Sequence, residues 1–278
     1  MFSIVTNACR GDQVRIATTL PSWLRTFGRR LDELVIVYDT VAPAGRIAAL
    51  HGSSGDDSPI RTALEQVAKL DSRVRVVDLP SAEALAPTFK RWFRAGRPYR
   101  CQGGTPIAAL LYAIDSARHE FVLRTDCDML FRERGWLAHG IERLASGAYD
   151  VVEPPRLGLA PGPVPEDMSS RATLVSPSRL AERLPLIAHR LDPLRRLHRW
   201  VHGRPPWRAL EQMWQRDIRS GRLRHTVLEA SLGASMHVVT RPDMETVVER
   251  SVVNRFEADQ IPRSQGTSWN FLSEAWPG

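Results

Sequence analysis

Lysine is almost missing from this chain of 278 residues: Lys69 and Lys90 are the only two, and every other side chain of fixed positive charge is arginine. Cysteine is scarce too. Cys9, Cys101 and Cys127 are three, an odd number without C-x-x-C spacing. That excludes a disulfide scaffold and reads as reduced thiols in a cytoplasmic protein. No apolar run approaches the roughly 20 residues that cross a bilayer. The N-terminal Met1–Asn7 stretch lacks a basic leader followed by a long apolar run, so no secretion signal is expected. Internal repeats and low-complexity tracts are also missing.

What is present is globular. A hydrophobic content of 43% against 25% charged residues excludes disorder. A chain of this length buries about three quarters of its unfolded surface, enough for one large domain or a domain with an appendage. With 38 basic and 31 acidic residues the net charge is +7. The surplus favours anionic partners such as nucleotides, sugar phosphates, lipid headgroups or nucleic acid. Being arginine, it offers planar forks suited to phosphate and carboxylate.

The first half alternates strand and helix. Phe2–Asn7, Leu34–Asp39, Val74–Asp78 and Phe121–Leu123 read as buried strands, two of them ending in an acid. Between them, helices are expected over Val14–Phe27 (with Pro21 inside), Ile60–Leu70 and Thr105–Ala117. In the last, Thr105 is the cap and Pro106 lies in the first turn. This order predicts an α/β fold: a single twisted, mainly parallel sheet flanked by helices, with ligands beyond the carboxyl ends of its strands. After Val152 the character changes. Residues 154–170 hold five prolines and two glycines and read as a long loop of the lid kind. Residues 183–208 interleave arginines with Trp200 and Trp207, a pattern that fits an anionic acceptor, a peripheral contact with an anionic membrane, or a solvated helix face. Thr226–Val239 forms a further segment, and Gly266–Trp269 could close over the donor, although no motif marks it for that.

The strongest local signal is Asp126-Cys127-Asp128 at the end of the fourth strand. Two carboxylates one residue apart can share a divalent cation, and their hard oxygens suit Mg²⁺ or Mn²⁺ bridging a nucleotide diphosphate. The same residue types also make turns, because aspartate bonds local backbone amides. Gly103-Gly104-Thr105-Pro106, ahead of a helix, offers free amides and a favourable dipole to an anion, or simply a tight turn.

With these residues in place, the first 153 positions resemble the nucleotide-sugar glycosyltransferases of the A-type, Rossmann-like fold. The resemblance implies Asp126 and Asp128 as the metal-binding pair, and a nucleoside and donor site built from Thr6, Asn7, Asp39, Asp78, Gly103, Gly104 and Asp126. Tyr38 stands where many members have a second acid before Asp39. Residues 154–278 would then shape the acceptor side of the same domain. The stretch Leu232-Gly233-Ala234-Ser235-Met236-His237-Val238-Val239-Thr240-Arg241-Pro242 resembles the LG-x3-H-x3-RP segment of retaining glucosyl-3-phosphoglycerate synthases. There, and in mannosylglycerate synthase, the histidine completes the metal site; the position here is His237. Imidazole tilts the preference toward Mn²⁺. Ser170-Arg171-Ala172-Thr173 distantly resembles their acceptor-binding G-R-V-T, which puts Arg171 and Thr173 on the acceptor.

The resemblance implies transfer of a sugar from a nucleoside diphosphate donor, with UDP favoured, to a hydroxyl acceptor with retention, Asp128 serving the chemistry through the metal. The alternative is inversion, for which Glu257 or Asp259 in Phe256–Arg263 is the base. A nucleotidyltransferase is a further rival, although Asn7-Ala8-Cys9-Arg10-Gly11 is a poor phosphate loop. No nucleic-acid motif appears and the arginines are scattered, so no nucleic acid is expected. Sugar, acceptor and oligomeric state are not written in the sequence.

Overall fold

The structure, a computed structural model, describes residues 1–41, 55–94, 97–101, 106–156, 171–186, 193–194, 201, 207–239, 253–258 and 270–272, with residues 237–239 and 270–272 described by their backbone. Gly103, Gly104, Thr105, Asp259, Gly266–Trp269, most of the proline-rich loop and most of the arginine-rich segment lie outside the described residues.

Among the described residues seven strands form the main sheet: β1 (Phe2–Ala8), β2 (Glu33–Tyr38), β3 (Val74–Asp78), β4 (Phe121–Asp126), β6 (Val151–Glu153), β7 (Ala172–Val175) and β8 (His225–Val227). Their order is β3-β2-β1-β4-β7-β6-β8. Only β7 runs against its neighbours; the other pairings are parallel. β2 is buried along its whole length, as expected of a strand covered on both faces. The sheet runs across the position 153 boundary, so both halves of the chain build one layer.

Helices cover both sides. On one face lie α1 (Gln13–Phe27), α2 (Ser58–Leu70) and α5 (Trp136–Ala145), packed on Ile4, Leu34, Ile36 and Leu123. On the other lie α3 (Ala86–Trp92), α4 (Ile107–Ser116) and α7 (Leu210–Arg219), packed on Val5, Val35, Val37 and Val122. The short α6 (Pro177–Arg183) follows β7. In α1, Ile16, Leu20, Trp23 and Phe27 make a buried stripe at helical spacing, and Pro21 is accommodated inside the helix. α4 starts one residue later than its proline suggested. Pro106 is the cap, still extended (φ −76°, ψ 98°), because it is bridged to Arg100 before the helix begins.

A second, three-stranded sheet was not foreseen. Its order is β10-β9-β5, where β5 is Met129–Glu133, β9 is Gly233–Val239 and β10 is Asn270–Leu272. What read as one segment over Thr226–Val239 is therefore two strands in two sheets. β5 returns along α1, and the contact is aromatic: Phe131 lies 6.0 Å from Trp23 and 5.9 Å from Trp136, ring centre to ring centre. Such pairs add about 0.5–1.5 kcal/mol beyond the area they bury. Among the described residues no helix is long and apolar enough to cross a membrane.

Candidate active site

Alternation along a strand sends successive side chains to opposite faces of the sheet. Counting from the core residues Val37, Val5, Val122, Val175 and Val151 on the α4 side, one row emerges at the carboxyl ends of β2, β1, β4 and β6 and the amino end of β7. It reads Asp39, Asn7, Asp126 with Arg124, Thr173 and Glu153. Neighbouring strands are about 4.8 Å apart, so the row is a short shelf of polar groups on an otherwise apolar face. The register confirms its centre: Asn7 sits beside Asp126, and Arg124 lies opposite Thr173.

The Asp126–Asp128 turn joins the two sheets. Its backbone is fixed from outside by α1, where Thr19 donates to the Cys127 carbonyl and Trp23 donates to Met129 O at 2.7 Å. From the other side the Asp126 amide donates to Arg171 O at 2.8 Å. The Asp126 carboxylate is one third exposed and accepts from the Arg124 guanidinium. Asp128 is half-buried. Arg171 and Thr173 therefore lie beside the aspartate pair. Thr173 is fully buried, and its hydroxyl has no hydrogen-bond partner among the described residues.

Asp39 is fully buried. Its Oδ2 accepts from Arg100 at 2.5 Å and its Oδ1 from the Val41 amide at 3.0 Å. Burial pushes its carboxyl above the ordinary value, against the pull of Arg100 and of the Val41 amide. Glu153 closes the far end of the row: His225 Nε2 is 2.7 Å from its Oε1 and Arg156 Nε is 3.2 Å from its Oε2. Ser235 of β9 donates its hydroxyl to Pro155 O at 2.7 Å, which ties the small sheet to the chain leaving β6.

Other residues singled out from the sequence fall elsewhere. Thr6, next to Asn7, belongs to the opposite face by alternation and is buried there. Asp78 is exposed and 3.4 Å from Arg61 of α2, on that same opposite side. Glu257 pairs with Arg25 at 2.8 Å. Arg25 is six residues beyond Thr19, about 9 Å further along α1 from the aspartate turn, so the structure does not bring Glu257 to the shelf. The His237 backbone is opposite Met129, the residue after Asp128.

The three cysteines are buried, and among the described residues none is in a disulfide. Burial first, then Asp12, pushes both Cys9 and Cys127 far up, so neither thiol is a nucleophile at neutral pH. Among the described residues no group of three His, Cys, Asp or Glu side chains clusters as a ready cation cage. Asp126, one third exposed, and Asp128, half-buried, are hard oxygen donors of the kind that would hold an ion by one or two carboxylates, its other ligands coming from substrate phosphate and solvent.

Sequence reading missed Arg124, Arg100 and the Glu153–His225–Arg156 cluster. Arg124 left a trace, as a charge inside an apolar strand. Glu153 ends Val151-Val152-Glu153 as the earlier acids end theirs. Arg100 gave no local signal.

No protein-family model and no curated protein matches the sequence. Solved structures do match in fold. S. aureus TarS 1–349 in complex with UDP is 13% identical, over 96% of this chain and 69% of that one, with a TM-score of 0.50. A mannosyltransferase from Pyrobaculum calidifontis in complex with GDP-Man and Mn²⁺ is 14% identical over 94% and 65%, at 0.49. Mouse xyloside xylosyltransferase 1 in its apo form is 11% identical over 83% and 86%, at 0.45. At such identities the likeness is one of architecture: the chain has the A-type fold of glycosyltransferases.

Proposed function

We propose that this chain is a metal-dependent glycosyltransferase that moves a sugar from a nucleoside diphosphate, with UDP favoured, to a hydroxyl acceptor with retention. The observation that carries the reading is the Asp126-Cys127-Asp128 turn, set beside Asn7 on the carboxyl edge of the parallel strands. That edge is where open α/β sheets bind ligands. The UDP bound to S. aureus TarS, a protein of the same architecture, supports the choice of nucleotide.

In this reading residues 1–153 hold the donor and residues 154–278 shape the acceptor side. Asn7, Asp39, Gly103 and Gly104 would serve the nucleoside and diphosphate, and Arg171 and Thr173 the acceptor. Asp126 and Asp128, with His237, would hold Mn²⁺ or Mg²⁺. The ion would supply positive charge to the departing diphosphate, a form of electrostatic stabilisation that contributes several kcal/mol. As the acceptor oxygen bonds to the anomeric carbon, the bond to the diphosphate oxygen breaks and the acceptor proton passes to that departing diphosphate. Retention is favoured because Glu257, one of the two bases open to an inverting enzyme, is paired with Arg25 away from the shelf.

A thermal-shift panel of UDP, GDP, ADP and dTDP, each with and without Mn²⁺, tests the class. The expected result is stabilisation by UDP that requires Mn²⁺. No response to any diphosphate, with or without metal, overturns the reading. Product anomeric configuration by NMR then separates retention from inversion.

A further inference from the structure

Arg124 is a guanidinium in the core. It lies in β4 two residues before Asp126 and is 1% exposed. Its Nη2 donates to Asp126 Oδ1, while Nε and Nη1 are buried without a hydrogen-bond partner among the described residues. Its neighbour across the sheet is the unpartnered hydroxyl of Thr173. A buried cation of this kind is costly, and the mutual attraction with a carboxylate is what compensates it. A second arginine stands on α1: Arg15, mostly buried in its first turn, donates to Asp12 at 2.9 Å. Burial opposes its charge, and the carboxylates of Asp12 and Asp128 more than offset that. Asp126 is thus met by fixed positive charge from the protein itself.

We infer that Arg124 is a resident counter-ion of Asp126 that keeps the aspartate pair from binding a divalent cation tightly until a diphosphate arrives. The inference rests on the proposed metal pair and deepens it. Asp126 carries one negative charge, and its guanidinium partner already neutralises it. A divalent ion approaching the same carboxylate meets the arginine's repulsion at a few ångströms, where charges interact strongly even at an effective dielectric near 20. The diphosphate brings the negative charge that tips the balance, so metal and nucleotide bind as one event. Arg124 is a positioning residue here: it acts through Asp126 and touches no substrate.

The test is a titration of Mn²⁺ alone into the full chain, with free Mn²⁺ read by electron paramagnetic resonance. Removing the charge in Arg124→Met should tighten Mn²⁺ binding by at least about tenfold, given the distance and dielectric involved. Arg124→Lys, which keeps the charge, should stay near wild type, and the gain should vanish when Asp126→Asn is added. Unchanged or weaker Mn²⁺ binding in a folded Arg124→Met protein overturns the inference. Should that variant fail to fold, the wild-type chain still decides. The Arg124 Nε resonance, assigned with Arg124→Lys, should shift when Mg²⁺ and UDP are added together and stay in place with Mg²⁺ alone; any other pattern overturns the inference. A chain that shows Mn²⁺-dependent diphosphate binding but no Arg124 effect loses this inference alone. One that binds neither metal nor diphosphate loses the proposed function as well.

Discussion

Asp39 and Arg100, 61 positions apart in sequence, form a buried ion pair at the carboxyl end of β2, with Arg100 Nη2 2.5 Å from Asp39 Oδ2. Arg100 also donates to Val41 O at 3.1 Å. The pair therefore fastens the chain before α4 to the strand end where the nucleoside is proposed to sit. Removing one member leaves the other charged in a dry site, and such deletions cost about 3–5 kcal/mol. Asp39→Ala should show that loss in urea unfolding. The double change Asp39→Asn with Arg100→Met should recover most of it, because neither partner is then left charged. Equal destabilisation in the single and double variants would contradict the pairing.

Asp128 is half-buried in the turn between the two sheets, where α1 fixes the neighbouring carbonyls. Its removal should therefore spare the fold and strike the chemistry. Loss of a preorganised electrostatic group at a leaving centre costs about 10²–10³ in kcat. Asp128→Ala is expected to lose turnover on that scale, measured with the donor that the thermal-shift panel selects. Its unfolding midpoint should shift little. Wild-type activity in this variant is the outcome that removes Asp128 from the site.

Much of this arrangement was legible in the sequence. Leu34–Val37 and Val122–Leu123 announced themselves as buried strands because a strand covered on both faces needs unbroken apolar residues. The acids that end them marked the carboxyl edge. Facing was not legible. Thr6 and Asn7 look equivalent in sequence, yet alternation sends one into the α1 side and the other to the shelf; only the packing of the helices decides which. The small sheet was hidden for another reason. Only two residues separate β5 from β4, and its partner β9 lies about a hundred positions later, so no local pattern joins them. Long-range ion pairs such as Asp39–Arg100 share that invisibility.

A pH-dependent contribution is expected at the opposite edge of the sheet. Arg73 donates to both oxygens of Asp71, and its Nη1 bonds Gly28 O at 2.6 Å and Leu31 O at 2.8 Å, closing the turn before β2. The hydrogen bonds from Arg73 hold the Asp71 carboxyl down at about 2, against an ordinary 3.8. A carboxyl depressed in the folded state stabilises the protein above its unfolded value, and the contribution fades as pH falls from about 4 through about 2. Both side chains are partly exposed, so solvent screening reduces the effect to about 1 kcal/mol at neutral pH. Asp71→Asn should be less stable than wild type by that amount at pH 7. The difference should shrink from about pH 4 and close near pH 2, measured by urea unfolding across the series.

Two glycines separate backbone strain from side-chain crowding. Gly233 opens β9 with φ +139°, a region that L side chains rarely adopt, and a Cβ there would lie 2.1 Å from the Arg132 carbonyl oxygen. Neither problem can relax without moving β5, the strand that carries the chain away from Asp128. Strain and overpacking each cost about 1–3 kcal/mol, so Gly233→Ala should lose about 3 kcal/mol or more. Gly140, inside α5, differs. Its added Cβ would meet the Cδ2 end of Leu174 at 2.8 Å, a group that can turn aside, and alanine favours a helix interior by about 1 kcal/mol over glycine. Gly140→Ala should therefore stay within about 1 kcal/mol of wild type, since the two terms oppose each other. Thermal unfolding of the two variants side by side checks the contrast. Because β9 places the His237 backbone beside the aspartate turn, Gly233→Ala should also weaken Mn²⁺-dependent diphosphate binding, and Gly140→Ala should leave it unchanged.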